Sequence, residues 1–201
     1  MSPAKRAFDI GFALLLLPLL GPLIVLIALG LALTGGGPIF YVSERMKAPG
    51  VPFGLWKFRT MRVVAQDFGV SGGDKQSRVT RIGRVLRRFR ADELPQLLNI
   101  LRGDMSFVGP RPPLRQYVEQ FPEVYSVILK NRPGVTGLAS LLYHRHEERI
   151  LSACKTSAQT EATYVNRCIP VKSRLDLIYQ CNQTIWFDIM LIFQTVGRVL
   201  R

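Results

Sequence analysis

The stretch IGFALLLLPLLGPLIVLIALGLAL, residues 10–33, decides the architecture of this 201-residue chain. It is almost wholly apolar, and no charged residue occurs in residues 10–43. About 20 such residues are enough to cross the hydrocarbon core of a bilayer as a helix. The sequence therefore predicts a membrane-inserted N-terminal helix.

A secretory signal peptide is the competing interpretation of this segment. Signal peptides have an apolar region of roughly 7–15 residues, followed by a small-x-small cleavage site. The apolar stretch here is longer, and no such site precedes a hydrophilic sequence. We therefore favour a retained membrane anchor.

Gly21 and Pro22 lie in the middle of the apolar stretch. Proline has no amide hydrogen to donate, and its ring clashes with the carbonyl group four residues earlier, so a helix kinks or breaks there. We predict a break in the membrane helix near Gly21 and Pro22.

Basic residues flank the apolar stretch on both sides. Lys5 and Arg6 precede it, and residues 45–115 carry 15 basic and 5 acidic side chains. Basic flanks prefer the cytoplasmic side of a membrane, so a straight span would export one of them, whereas a re-entrant helix exports neither. We favour a monotopic, re-entrant helix in residues 1–36, with residues 37–201 forming a domain on the cytoplasmic face. A straight span is the alternative, because proline also occurs within true transmembrane helices.

The composition of the whole chain narrows the class of protein. Lys and Arg number 27 against 14 Asp and Glu, a net charge of +13, while 48% of the residues are hydrophobic. A disordered basic tail would lack these apolar residues, so that class is excluded. The charge indicates an anionic partner: nucleic acid, an anionic membrane surface or a phosphorylated substrate.

The remaining sequence predicts a mostly α-helical fold with a small β-hairpin. Residues 39–42 and 53–58 have the composition of two strands, and residues 47–50 supply the turn between them. Residues 65–75 are polar and contain glycine, which is typical of a mobile loop.

Amphipathic helices are predicted in two further segments, and we expect them to lie at the membrane interface around a compact domain. In residues 78–90, six arginines alternate with apolar residues spaced three and four apart. That helix could contact lipid phosphates, bind nucleic acid, or present a solvated basic face above the core. Residues 185–200 predict a second helix, either in the core or at the interface.

Asp92 and Glu93 are the only acidic residues in residues 75–103. Adjacent carboxylates at a helix end do not face one another well, so we expect different roles: one a nucleophile or metal ligand, the other its support. The alternative is a pair of surface acids that neutralise the nearby arginines.

A turn rich in proline follows the acidic pair. The sequence VGPRPP at residues 108–113 holds Arg111 between Pro110 and Pro112. A guanidinium group fixed in this way is suited to bidentate recognition of phosphate. The sequence RPGVTG at residues 132–137 predicts a second loop of the same kind.

With these motifs in order, the chain resembles the bacterial sugar transferase family, the small monotopic phosphoglycosyl transferases. The matching stretches are RAFD at residues 6–9, GPIF at 37–40, KFRTM at 57–61, RVTRIG at 78–83, DELPQL at 92–97, MSFVGPRP at 105–112, RPGVTG at 132–137, LD at 175–176, and Asp188. They cover nearly the whole chain. Each is weak alone, but DELPQL followed by VGPRP is highly specific.

The resemblance implies a reaction. A sugar-1-phosphate passes from a UDP-sugar to polyprenyl (undecaprenyl) phosphate with release of UMP and the assistance of Mg²⁺. This is the first membrane step of exopolysaccharide, O-antigen or glycoconjugate synthesis. Carried over, Asp92 is the nucleophile, which forms a covalent phosphosugar intermediate, and a Mg²⁺ ligand. Glu93 supports the metal or proton transfer.

The resemblance also implies the partners and the location. Both substrates are anionic, so the carboxylate needs cations to approach them. The residues expected to bind the substrates are Lys57, Arg59, Arg78, Arg88, Pro110, Arg111, Pro112 and Arg132. We expect a catalytic domain at the cytoplasmic face of the bacterial inner membrane, in contact with its lipids and with no nucleic-acid partner; a homo-oligomer is left open. The rival classes are a membrane-tethered nucleic-acid-binding protein and a membrane scaffold.

The cysteines and histidines do not predict a metal centre. Cys154, Cys168 and Cys181 have neither a disulfide-framework nor a zinc spacing, so we expect core thiols in a reducing compartment. His144 and His146 form an H-x-H pattern that is more often structural than metal-binding. They lie in residues 143–148, where the chain departs from the family pattern.

Overall fold

The computed structural model describes residues 1–34, 37–62 and 73–199. Most of the predicted mobile loop, residues 65–72, lies outside these ranges. The helices are α1 (Pro3–Thr34), α2 (Arg81–Arg88), α3 (Gln96–Arg102), α4 (Arg115–Gln120), α5 (Pro122–Ile128), α6 (Leu138–Ser152), α7 (Ser157–Thr163), α8 (Ile169–Cys181) and α9 (Ile185–Val199). The strands are β1 (Phe40–Ala48), β2 (Val51–Phe58), β3 (Ser106–Val108) and β4 (Gly134–Thr136). The predicted class, mostly helical with a small hairpin, is confirmed.

Strands β1 and β2 form the predicted antiparallel hairpin, and both are longer than the sequence pattern indicated. Phe40 pairs with Phe58 at the open end. Gly50 turns the chain with φ of 72°, a left-handed conformation that glycine adopts without a steric penalty. The hairpin buries Leu55 and Phe58 against the helices.

A second, parallel pair of strands was not predicted. Ser106 of β3 pairs with Gly134 of β4, and each strand has three residues, too few for a sequence pattern to show. A side chain at Gly109 would collide with the carbonyl oxygen of Arg132, so glycine is required where the two loops meet. The Gly134 amide donates a hydrogen bond of 2.8 Å to the carbonyl oxygen of Pro110. The two Gly/Pro loops of the sequence therefore pack against each other.

Helix α1 is continuous from Pro3 to Thr34, with Pro18 and Pro22 inside it. The prediction of a break near Gly21 and Pro22 is wrong, because the helix is not interrupted there. The φ angle of proline, about −65°, is itself helical, so the chain continues the helix where one hydrogen bond is lost. The re-entrant course of α1 stays a prediction.

Most of α1 exposes apolar side chains. Within the described ranges, it is the one helix long and apolar enough to cross a membrane. Its exposed residues include Leu14, Leu15, Leu19, Leu26 and Leu33. A surface of this kind is expected of a helix in contact with lipid rather than water.

The first turns of α1 are fixed to the rest of the domain by charge. The Lys5 ammonium lies 3.0 Å from Asp9 and 2.7 Å from Asp188 of α9, and both carboxylates are fully buried. Arg6 donates hydrogen bonds to the carbonyl groups of Ile100 and Leu101 in the last turn of α3. Removing one partner of a buried ion pair costs about 3–5 kcal/mol, so this cluster holds the base of α1 firmly.

The far end of α1 contacts the same domain. Leu31 is buried against Phe58 of the hairpin and Leu86 of α2. Nearer the start of the helix, Ala13 packs with Phe53, also of the hairpin. The domain therefore contacts α1 on both sides of Pro22.

The predicted arginine-rich helix is present but shorter. Helix α2 begins after Thr80, whose side-chain oxygen accepts a hydrogen bond of 2.9 Å from the Gly83 amide. The apolar face is only partly buried, because Val85 and Phe89 are exposed beside the arginines. An interfacial role for α2 stays a prediction.

The C-terminal segment forms α9, as predicted, and has both a core and an exposed face. Leu191 and Asp188 are buried, whereas Trp186 and Phe193 are largely exposed. The cysteines are free thiols, but the expectation that all three are core residues is wrong for Cys181, which is exposed at the end of α8.

Candidate active site

The two predicted catalytic carboxylates lie in a 3₁₀ turn, Ala91–Glu93, between α2 and α3. Arg90 precedes the turn with φ of 52°, a left-handed conformation that is uncommon for a residue with a side chain. Both carboxylate residues are 8% exposed. Strained backbone conformations of this kind concentrate at functional sites, where the surrounding contacts maintain them.

Glu93 is surrounded by cations. Its carboxylate lies 3.0 Å from Lys57, 2.6 Å from Arg90 and 3.6 Å from Arg111. Burial alone would raise the pKa of Glu93, but these three charges hold it well below its ordinary value. Glu93 is therefore ionised, and the neighbouring cations balance its negative charge. Its contacts join β2, the 3₁₀ turn and the Arg111 turn.

The carboxylate of Asp92 has different surroundings from the carboxylate of Glu93. Among the residues that the structure describes, the Asp92 carboxylate makes no hydrogen bond and no ion pair. Burial, and next the charge of Glu93, raise the pKa of Asp92, while Lys57, Arg87 and Arg90 act in the opposite direction. The two carboxylates therefore differ in their surroundings: Glu93 is paired with cations, and Asp92 is not among the described residues. The different roles expected of them stay a prediction.

Arg111 is held at the site by its backbone. The carbonyl oxygens of Pro110 and Pro113 accept hydrogen bonds of 2.8 and 3.1 Å from the amides of Gly134 and Met46. Pro110 and Pro112 are buried, whereas 39% of the Arg111 side chain is exposed. The turn therefore presents a guanidinium group that contacts Glu93 and is still accessible to a substrate.

Two further arginines at the carboxylates were missed by sequence reasoning. Arg90 contacts Glu93, and Arg87, which donates a hydrogen bond of 2.9 Å to the Thr60 hydroxyl, acts on Asp92. The predicted Arg88 instead lies exposed on α2, with its guanidinium 5.6 Å from the Phe89 ring. Helical spacing places Arg87 and Arg88 on different faces of α2, so it shows that only one of them can face the carboxylates. The left-handed turn at Arg90 has no sequence signal.

The other predicted cations make no ion pair with Asp92 or Glu93 among the described residues. Arg132 lies near Arg6 at the base of α1; burial and the Arg6 charge lower the pKa of Arg132. The Arg59 amide donates a hydrogen bond of 2.9 Å to the carbonyl oxygen of Ile39, and the carbonyl oxygen of Arg78 accepts one of 2.9 Å from Arg62. Of the six predicted cations, Lys57 and Arg111 are the two with contacts to Glu93.

A second cluster of charges lies behind Arg111, and sequence reasoning did not bring its residues together. Lys172 of α8 is 2.9 Å from Glu147 of α6. Arg111 and Lys172 line a common cavity of about 20 Å³, together with Asp176. Burial raises the pKa of Asp176 to about 7. This cavity has room for about one water molecule.

The two histidines of the H-x-H pattern point to different partners. His144 lies 3.4 Å from Glu148, and His146 lies 3.0 Å from Arg149. Burial and the Arg111 charge lower the pKa of His144, while Glu148 raises it. Within the described ranges, no group of three His, Cys, Asp or Glu side chains is placed to hold a metal ion.

A magnesium ion could be held here by Asp92 and the phosphates of a substrate. Magnesium commonly binds to one or two carboxylates and completes its coordination with phosphate oxygens and water. The Asp92 carboxylate has no competing cation within ion-pair distance among the described residues. Both oxygens of Glu93 are already contacted by Lys57 and Arg90. The donor set therefore favours Asp92 over Glu93 as the ligand of a metal.

Comparison with curated proteins gives relatives over almost the whole chain. It is 35% identical, over 96% of its length, to "UDP-glucose:undecaprenyl-phosphate glucose-1-phosphate transferase" of Escherichia coli K12, of which it covers 39%. It is 33% identical, over 98% of its length, to "UDP-N-acetylgalactosamine-undecaprenyl-phosphate N-acetylgalactosaminephosphotransferase" of Aeromonas hydrophila, of which it covers 43%. The chain thus spans about two fifths of these relatives.

A shorter relative matches along most of both sequences. The chain is 34% identical, over 98% of its length, to "Exopolysaccharide production protein ExoY" of Sinorhizobium fredii, and it covers 85% of that protein. The family model described as "Bacterial sugar transferase" matches residues 1–201, which include α1, the carboxylate turn and the Arg111 turn. The chain therefore belongs to the bacterial sugar transferase family.

Proposed function

We propose that this chain transfers a sugar-1-phosphate from a UDP-sugar to polyprenyl phosphate, of the undecaprenyl type, and releases UMP. The observation that carries the proposal is the contrast between Glu93, held by three cations, and Asp92, which has no such partner among the described residues. The names of the relatives supply the substrate class. Exopolysaccharide synthesis is the process that the ExoY relative suggests.

The reaction proceeds in two displacements at Asp92. A carboxylate oxygen of Asp92 attacks the phosphorus that carries the sugar; an acyl-phosphate bond forms, the pyrophosphate bond breaks, and UMP leaves. A phosphate oxygen of the polyprenyl phosphate then attacks the same phosphorus, and the carboxylate of Asp92 is regenerated. One phosphate-binding pocket can serve both unlike substrates in this way, which predicts ping-pong kinetics.

The cations around Glu93 make the first displacement electrostatically feasible. A pyrophosphate carries about two negative charges, so an uncompensated pair of carboxylates would repel it. Lys57 and Arg90 neutralise Glu93. Arg111, accessible at the edge of the site, is placed to bind the substrate phosphates as charge moves onto the leaving oxygen.

Magnesium is the metal that we propose for this site, held by Asp92 and the substrate phosphates. When bound, it supplies positive charge that stabilises the phosphate oxygens. Both oxygens of Glu93 already accept hydrogen bonds from Lys57 and Arg90, so we assign Glu93 to the positioning of Lys57, Arg90 and Arg111 rather than to the metal.

We propose a monotopic attachment to the cytoplasmic face of the bacterial inner membrane. A domain rich in charge can lie on only one side of a bilayer, and this domain contacts α1 both at Lys5 and at Leu31. A helix that crossed completely would carry one of these contacts to the other side. The exposed leucines of the middle of α1 would then insert from the cytoplasmic side and return to it, placing the site near the lipid phosphates.

The nucleophile is tested by replacing Asp92 with asparagine. Because an amide cannot form the acyl phosphate, Asp92→Asn should lower UMP release from UDP-sugars, with polyprenyl phosphate and Mg²⁺, by about 10³-fold or more. Asp104→Asn is the matched control: it removes a carboxylate that pairs with Lys47 away from the site, and it should stay within about twofold of wild type. Wild-type turnover in Asp92→Asn would refute the assignment. A panel of UDP-sugars would identify the sugar.

The pH dependence tests the coupling between the two carboxylates. The attack requires ionised Asp92, so the first turnover should slow as the pH falls through the raised pKa of Asp92. In Glu93→Gln the charge that raises this pKa is lost, so the acid limb should move to lower pH. UMP release should be measured without acceptor, because the acceptor phosphate itself titrates near pH ~6.

Glu44→Gln is the matched control for this titration. It removes a carboxylate from an exposed pair with Arg115, and it should leave the acid limb unchanged. An acid limb that stays in place, or moves to higher pH, in Glu93→Gln would show that Glu93 does not set the pKa of Asp92.

The membrane arrangement is tested by cysteine labelling. Two separate variants are made in a protein without the three native cysteines. Ser2→Cys places an exposed thiol at the start of the chain, and Ser126→Cys places one on the surface of the domain. A membrane-impermeant maleimide applied to spheroplasts should label neither, and should label both after permeabilisation. Labelling of Ser2→Cys alone in intact spheroplasts would establish a straight span instead.

A further inference from the structure

Lys172 lies in a closed environment that joins three elements. It is 8% exposed, and its ammonium group donates to Glu147 at 2.9 Å and to the Tyr164 hydroxyl at 3.3 Å. The ammonium also lies 5.0 Å from the centre of the Tyr164 ring. Glu147 is itself largely buried, with 15% of its side chain exposed. The pair is therefore well shielded from water.

This pair lies next to Arg111. Arg111 and Lys172 line the same small cavity, so the two cations face a common space. Burial acts to lower the pKa of Arg111, but the charges of Glu93 and then Glu147 outweigh it and raise that pKa. Burial and the Arg111 charge act to lower the pKa of Lys172, but Tyr164 and Glu147 raise it above its ordinary value. Glu93, on the catalytic side, and Glu147, on the other, are the two carboxylates that act most strongly on Arg111, ahead of Asp92.

These two carboxylates differ in how completely they are neutralised without Arg111. Glu93 already has Lys57 and Arg90. Glu147 has one close cation among the described residues, Lys172. An unpaired buried carboxylate is costly, so without Lys172 a nearby guanidinium group would be drawn toward Glu147. Arg111 lines the same cavity as Lys172 and is acted on by the charge of Glu147, so it is the group that we expect to respond.

We propose that Lys172 is a positioning residue for the transfer reaction: by neutralising Glu147, it keeps Arg111 at Glu93 and at the substrate phosphates. This role rests on the proposed function, since it assigns phosphate binding to Arg111. It also assigns a role to Glu147 of α6 and Lys172 of α8, for which the sequence motifs predict none. The competing explanation is a purely structural pair that joins α6 to α8. It predicts that the variants lose stability while their UDP affinity stays unchanged.

The test compares Lys172→Met, Glu147→Gln and the double variant. With Lys172→Met alone, Glu147 competes for Arg111, so the affinity for UDP, measured by calorimetry, should fall roughly tenfold, and the KM for the UDP-sugar should rise by a similar factor with a smaller change in kcat. In the double variant the competing charge is also gone, so both quantities should return to within about threefold of wild type. Lys172→Arg should retain function because it keeps the cation.

Lys47→Met is the matched control, since it removes a lysine from a partly exposed pair with Asp104 and should leave UDP affinity unchanged. Thermal unfolding of each variant verifies the fold. If Lys172→Met does not fold, Lys172→Gln replaces it in the comparison: UDP affinity that is lowered in Lys172→Gln and recovers when Glu147→Gln is added supports the role, and equal affinity in the two variants overturns it. A double variant no better than Lys172→Met also overturns it.

Failure of the proposed function gives a separate result. A wild-type protein that binds UDP but releases no UMP from UDP-sugars would refute the transferase proposal, while the UDP affinities of the variants would still decide whether Lys172 positions Arg111. A wild-type protein that does not bind UDP would overturn both.

Discussion

The neutralisation of Glu93 by Lys57, Arg90 and Arg111 is the interaction on which the site depends. Two carboxylates that are adjacent in sequence and largely buried would repel each other and any phosphate. Cations from a strand, from the residue before the 3₁₀ turn and from a proline-rich turn instead surround Glu93, whereas Asp92 has no paired cation among the described residues. The same contacts join these three elements, and Glu93 is therefore a structural centre as well as an electrostatic one.

Charge also determines how the domain meets the apolar helix. Lys5 lies between two fully buried aspartates and ties the start of α1 to α9. At the other end of the helix the contacts are apolar, through Leu31 and Phe58. A helix fixed at both ends to one domain leaves its middle, with the exposed leucines, as the part available to lipid. This arrangement accounts for a chain that is both strongly basic and rich in apolar residues.

The sequence predicted the elements whose signals are local. The hairpin follows from two apolar strands and a glycine turn, and Arg111 from the prolines beside it. The resemblance to the family singled out Asp92 and Glu93. Contacts between distant segments could not be predicted: the approach of Lys172 to Arg111 depends on how α8 packs, and the contact of Arg90 depends on an unusual backbone angle. The break expected at Pro22 failed because proline also fits within a helix that neighbouring turns sustain.

We propose that Asp92 alone becomes covalently bound to the sugar phosphate. The most direct measurement is intact-protein mass spectrometry after incubation with the UDP-sugar and Mg²⁺ in the absence of polyprenyl phosphate, followed by acid quenching and peptide mapping. We expect a mass increase of one sugar phosphate, located on the peptide that contains Asp92, and its loss when acceptor is added. An adduct on another residue, or an equal adduct in Asp92→Asn, would contradict it.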